Sequence, residues 1–164
     1  MARLPDRFDL WVRKARESAD PERQADYVLG ALVGLREWHF FNVGTKENPQ
    51  PAEAEIEDAA CLLVFSDTDR IAEIVPAERQ KQPGDSLPVI SIPTVSAMPW
   101  CLERRASGCD ALLVNPGDYA CLISIEQVDF FYQEWSQRGG RLASGFWIPN
   151  MTTEEEDFWQ ENGL

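Results

Sequence analysis

The sequence predicts an α/β (or α+β) fold: a single domain with a mixed sheet of about five strands and helices packed on it. Two observations carry this expectation. Residues 60–117 read strand, helix, strand, helix, strand, and end in a tight Asn115-Pro116-Gly117 turn. Strand and helix patterns in alternation are the signature of an α/β architecture. The length, 164 residues, suits one domain. A chain of this size buries roughly 70% of its unfolded surface, so it needs no disulfide or metal to fold.

The first element is helical. Phe8, Trp11, Val12 and Ala15 recur at helical spacing, with Arg13, Lys14, Arg16 and Glu17 among them. Asp20-Pro21 reads as an N-cap with proline at the first helical position, and opens a second helix over residues 21–36. Its stripe is Tyr27, Val28, Ala31, Leu32 and Leu35. Gly30 and Gly34 share a face, which suits close approach of another element despite a cost of about 1 kcal/mol each. This helix pair, residues 1–36, precedes a core at residues 38–136.

Residues 38–43, Trp-His-Phe-Phe-Asn-Val, are aromatic-rich and predict the first strand. Residues 44–59 read as an acidic loop, with residues 52–58 able to form a helical turn. Residues 60–65 are a continuous apolar run, as expected of a strand covered on both faces. Ser66-Asp67-Thr68-Asp69 then starts a helix that Pro76 stops. A polar loop over residues 78–86 leads to a strand at 87–92, where Pro88 belongs at the strand's start or at an edge. Ser96 is the expected N-cap of the next helix, which puts Pro99 in its first turn, and Gly108 ends it. Residues 110–115 and 119–123 are the last two strands, joined through a turn in which Pro116 and Gly117 suit the two central positions of type II.

Ser124-Ile125-Glu126-Gln127 is a capping box and starts a helix buried through Ile125, Val128, Phe131, Tyr132 and Trp135. Gly139-Gly140 ends it. The tail, residues 141–164, carries Phe146 and Trp147, then Thr153-Glu154-Glu155-Glu156 as a second capping box before Phe158 and Trp159. These four aromatics either pack on the chain's own helices or serve as a partner-binding surface.

The formal net charge is −13, unevenly spread. Residues 1–36 hold seven Lys/Arg and six Asp/Glu; residues 37–164 hold eight and 22. An acidic body repels phosphate backbones and anionic lipid, which argues against nucleic-acid and membrane partners. It suits a basic protein. No apolar run reaches the ~20 residues of a membrane span, and the first residues lack a signal-peptide core, so the expected location is cytoplasmic.

Chemistry is sparse. Cys61, Cys101, Cys109 and Cys121 form no Cys-x-x-Cys pair, and His39 is the only histidine, so no metal site is expected. Cys61 and Cys121 read as buried thiols and His39 as a structural strand residue. Asp67-Thr68-Asp69 is similar to the Asp-x-Asp motif of haloacid-dehalogenase-type phosphatases. It lacks the later acids such chemistry requires, and the only lysine beyond it is Lys81, in a Pro/Gly-rich loop. A metal-assisted hydrolase using Asp67 and Asp69 is therefore the weakest of three functional readings, and helix capping is the simpler role. No phosphate-cradling glycine loop and no Gly-x-Ser-x-Gly elbow occur. The loop Asn115, Gly117 and Tyr119 is the candidate ligand site, since strand ends often line one.

The strand ending in Phe65-Ser66-Asp67, the proline-flanked strand near residues 87–93 and the strand ending in Asn115-Pro116-Gly117 resemble the N-terminal domain of SseB-type (enhanced serine sensitivity) proteins. The resemblance covers roughly residues 38–136. It implies a small α/β domain with a mixed sheet and supplies no catalytic residue. The expected function is an acidic protein-binding module without cofactor; the alternatives are a small-ligand sensor at Asn115–Tyr119 and the hydrolase.

Overall fold

A pair of helices opens the fold and is built into its core. The structure, a computed structural model, describes residues 6–74, 88–137 and 147–162. Helix α1 (Arg7–Arg16) begins at a reciprocal capping box: Asp9 N–H donates to Asp6 Oδ1 and Asp6 N–H to Asp9 Oδ2, both at 3.0 Å. Helix α2 (Pro21–Val33) starts where Asp20 Oδ1 accepts from Glu22 N–H at 3.0 Å. It stops at Gly34, three residues short of its expected end. Arg36 carbonyl is instead used by Thr94 N–H, and strand β1 (Glu37–Phe41) begins at once.

Strand β1 pairs antiparallel with strand β4 (Val89–Pro93), in register Phe40↔Ile90. A four-stranded sheet lies beside this ribbon in the order β2-β3-β5-β6. It comprises β2 (Glu53–Ile56), β3 (Ala59–Val64), β5 (Ala111–Val114) and β6 (Cys121–Ser124). Strands β3 and β5 are parallel, and the other neighbours antiparallel. His39 and Phe65 exchange N–H···O bonds of 3.1 and 2.9 Å, and an Asn42↔Pro51 bridge adds a second stitch between the sheets.

The mixed α/β class matches the sequence reading, but the sheet arrangement differs in two respects. The acidic segment expected as a loop contains β2, which forms a hairpin with β3. Glu57 and Asp58 both have positive φ, 50° and 67°, the conformation of a tight two-residue hairpin turn. Glu53 and Glu55 face solvent on this edge strand, where charge discourages pairing with other chains. The strands also form two sheets rather than one, and β4 pairs with β1 alone. Its residues are only partly covered, and Pro93 ends it, so it serves as an edge. Pro88 directly precedes it, and its carbonyl accepts from Asn42 N–H at 3.0 Å.

Helix α3 (Thr68–Ile74) follows β3, and α4 (Thr94–Glu103) runs directly out of β4. Ser96 is not the N-cap of α4. Pro93 holds that position, and Thr94 Oγ1 and N–H bond the Leu35 and Arg36 carbonyls, so the helix starts three residues earlier. Pro99 therefore lies in the helix interior, where it removes the donor for the carbonyl of Val95, a residue at the exposed surface. A 3-10 turn (Arg104–Ser107) follows, closed by Gly108 at φ 98°.

Helix α5 (Ile125–Gln137) has the expected box, Gln127 N–H to Ser124 Oγ at 3.3 Å and Ser124 N–H to Gln127 Oε1 at 3.1 Å. Helix α6 (Thr153–Asn162) is capped one residue earlier than expected. Thr152 and Glu155 form its box, because Glu155 is also the residue that α2 engages. The polar loop at 78–86, Pro76 and Gly139-Gly140 lie outside the described residues.

The main core gathers Trp11, Val28, Leu32, Trp38, Phe40, Leu62, Leu112, Val128 and Phe131 among others, all at 0% exposure. A smaller one joins Phe41, Ala52, Phe65 and Ile71. An ion cluster joins α1 to α3. Arg70 on α3 places Nη2 2.7 Å from both Asp6 Oδ2 and Asp9 Oδ1 of α1, and Nε 3.4 Å from Asp67. Arg70 and Asp9 are buried. Burial works against the guanidinium charge, but the bonds to Asp6 and Asp9 outweigh it and raise its pKa. Removing one partner strands the other in a low-dielectric site. Arg70→Ala is expected to cost about 3–5 kcal/mol in urea unfolding. Arg70→Lys should fall between it and wild type, because a point charge cannot serve the same fork of carboxylates. A loss under ~1 kcal/mol for Arg70→Ala would show that the cluster does not hold α1 in place.

Candidate protein-binding surface

The ligand candidates Asn115, Gly117 and Tyr119 have internal duties. Asn115 is buried at φ 48°, and its carboxamide clamps the end of β3 to the end of β5. Ser66 N–H donates to Asn115 Oδ1 at 2.9 Å, and Asn115 Nδ2 donates to Ser66 Oγ at 3.0 Å. Gly117 sits at φ 131°, a conformation L side chains rarely adopt, with open space where a Cβ would be. Tyr119 is held by α1. Arg13 Nη2 donates to its hydroxyl at 2.7 Å, and the Arg13 and Arg16 guanidinium carbons lie 5.4 and 6.0 Å from its ring centre. Arg16 also donates to the Asp118 and Ala120 carbonyls.

Asp67 caps α3, its Oδ1 accepting from Arg70 N–H at 3.0 Å. His39 Nδ1 shares a 2.8 Å hydrogen bond with Ser91 Oγ across the β1–β4 pair. Among the described residues, no three His, Cys, Asp or Glu side chains come together as a metal-binding group. Cys61, Cys101 and Cys109 are buried and Cys121 is half-buried; all four are free. Burial pushes every thiol up, Cys121 to about 11, so none is a ready thiolate.

The tail aromatics divide. Trp147 packs edge-on against Phe131 at 5.4 Å, and Phe158 edge-on against Trp11 at 4.8 Å. Lys14 lies over the Phe158 ring. Phe146 lies outside the described residues, and of Trp159 only the backbone is described. Behind these contacts is a polar latch. Glu155, buried, accepts from the Tyr27 hydroxyl and pairs with Arg23, both on α2. Burial resists its ionisation, but the bonds from Tyr27, Thr152 and Arg23 hold its carboxyl below the usual value. Burial and the Glu155 carboxylate push Tyr27 well up.

A groove of about 360 Å³ remains between α2 and α5, lined by Glu22, Asp26, Glu126, Gln127 and Phe130. Helical spacing builds it. Glu22 and Asp26 are one turn apart on α2, and Glu126 and Phe130 one turn apart on α5, so each pair shares a face. Phe130 lies one residue before Phe131, about 100° around the helix from it, and so faces out of the 125/128/131/135 core stripe, 64% exposed, more than any other exposed large apolar side chain among the described residues. Asp26 is mostly covered, its side chain 20% exposed, with Arg23 Nη1 3.4 Å away. That guanidinium is shared with Glu155 and with the Pro149 and Asn150 carbonyls. Burial, aided by Asp20 and Glu22 and opposed by Arg23, raises Asp26 to about 6.

These groove residues were not singled out from sequence. The available signal was Phe130 itself, an aromatic off the buried stripe between Asp129 and Gln133. Comparison with protein-family models, with curated proteins and with solved structures finds no match. No helix among the described residues is long and apolar enough to cross a membrane.

The raised carboxyl makes a stability prediction with a definite sign. Asp26 keeps its proton up to about 6 in the fold and releases it near 3.8 when unfolded. The native state therefore binds more protons in this window, and stability falls as pH rises through it. Above the window the full cost persists. Asp26→Asn is expected to raise stability by about 1–2 kcal/mol at pH near 8 and by little at pH near 4. Urea unfolding at the two pH values checks it; an equal effect at both would remove the assignment.

Proposed function

We propose that the chain is a protein-interaction module, SseB-like in its core and cytoplasmic, whose acidic surface receives a basic protein. The observation that carries this reading is Phe130, a large aromatic left in water inside a groove whose rim is Glu22, Asp26 and Glu126. An exposed aromatic anchor in a concavity, ringed by polar groups, is the usual composition of a protein-docking hot spot. The net charge of −13 adds long-range attraction for a cationic partner and repulsion of phosphate-rich ones. The SseB-like reading rests on the sequence pattern from Phe65-Ser66-Asp67 to the Asn115-Pro116-Gly117 turn. The internal bonds of Asn115 and Tyr119 weigh against the small-ligand reading of that loop, and the capping role of Asp67 against the hydrolase.

The test is cross-linked capture from native lysate, followed by titration of the purified partner. A basic protein is expected, bound at low salt and largely released at about 0.5 M NaCl. Phe130→Ala should weaken binding by roughly tenfold or more, and Glu126→Lys should slow association. No specific partner, or affinity unchanged by salt and by both substitutions, would overturn the reading.

A further inference from the structure

We infer that the α2–α5 groove seats one arginine side chain of the partner, its guanidinium against Asp26 and its aliphatic stem on Phe130. This rests on the reading of the groove as a docking surface. Three carboxylates line the concavity and, among the described residues, no Lys or Arg does. Arg23 approaches Asp26 at 3.4 Å and Arg105 approaches Glu126 at 3.5 Å, and the remaining excess of acids opposes an anionic occupant. A plain apolar segment would bury Asp26 and Glu22 uncompensated, which is costly. A side chain with an apolar stem and a cationic head satisfies both parts of the lining.

Arg23 cannot fill this role. It is drawn toward the tail, donating to Pro149 carbonyl at 2.6 Å and pairing with Glu155, while Asp26 receives only its 3.4 Å contact. Asp26 is thus a mostly covered carboxylate with a shared, distant cation. Arginine fits better than lysine because its planar head can bond a carboxylate with two N–H groups and stack on a ring.

Proton linkage gives a readout specific to this seat. The charges facing Asp26 are Arg23, Glu22 and Asp20 from its own segment and Glu126 across the groove on α5. With its pKa near 6, Asp26 is ionised at neutral pH and loses charge as pH falls. A cation stabilises the ionised form, so affinity drops through that window and binding releases a proton on its acid side.

The experiment is an amide NMR titration of the full chain with n-butylguanidinium, n-butylammonium and neutral n-butylurea. Saturable shifts at Glu22, Asp26, Glu126 and Phe130 are expected with the guanidinium and not with the urea. Asp26→Asn and Phe130→Ala should each lower affinity about tenfold, whereas Glu156→Gln, on an exposed position of α6, should not. Wild-type affinity should fall between pH near 7.5 and pH near 5, and that dependence should vanish in Asp26→Asn. Dispersed amide spectra keep the variants interpretable as folded proteins. Equal shifts with the urea, unchanged binding by Asp26→Asn, or no saturable binding would overturn the seat. Equal or tighter binding of the ammonium would overturn its assignment to arginine. A purified partner bound alike by wild type and Asp26→Asn would leave the interaction module standing and remove this seat. Absence of any partner alongside intact probe binding would do the reverse.

Discussion

The arrangement of helices over the sheets depends on one charge cluster, the buried Arg70–Asp9 pair with the more exposed Asp6 and Asp67 beside it. A guanidinium this covered is stable only where carboxylates converge on it, so the N-terminus of α1 and the N-terminus of α3 must meet. Asp9 serves twice, as the reciprocal cap of α1 and as the innermost partner of Arg70. That dual use fixes both the start and the position of the helix. The far end of α1 is tied to the loop between β5 and β6 by Arg13 and Arg16, which hold Tyr119 and the Asp118 and Ala120 carbonyls. With both ends set, α2 follows by hairpin packing, and its outer face lies against α5. The groove is thus a consequence of constraints placed two elements away.

The tail acts on α2 as well. Glu155 draws the Arg23 guanidinium toward α6, and the Pro149 and Asn150 carbonyls complete its coordination. Asp26, three residues along α2, is left with a fraction of that cation. Tail docking and groove charge are therefore linked through a single arginine. The linkage is local electrostatics: a donor spent on one carboxylate is weakened for another. It also explains why two acids near Arg23 move in opposite directions. Glu155 gains enough bonds to outweigh its burial, and Asp26 does not.

How much of this was legible in the sequence follows from how local each determinant is. The helix starts at Asp20 and Ser124 and the glycine stop at Gly108 depend on neighbours within a turn, and they were readable. The β3 and β5 runs were readable because strands covered on both faces are continuously apolar. Strand β2 was hidden, since an edge strand with glutamates outward looks like an acidic loop, and its turn uses Glu57 and Asp58 rather than glycine or asparagine. The start of α4 was misplaced because Thr94 is held by carbonyls some sixty residues earlier, beyond any local rule. The pairing of β4 with β1, the clamp of Asn115 on Ser66 and the groove itself are all products of distant contacts. Only the outward Phe130 left a trace in the residue pattern.

Packing alone would place neither a mostly covered carboxylate nor a bare phenyl ring on the surface of a small α/β protein. Asp26 lowers stability at neutral pH, because its environment favours the proton it has lost. Phe130 forgoes the burial that its neighbour Phe131 obtains. Each departure alone is ordinary. Here they face one another from two helices across one concavity, and a cation with an apolar stem would relieve both. That coincidence at one concavity is the physical basis of the proposed docking reading. The sheet and its Asn115-Pro116-Gly117 turn then serve as the frame that holds the two helices at the separation the groove requires.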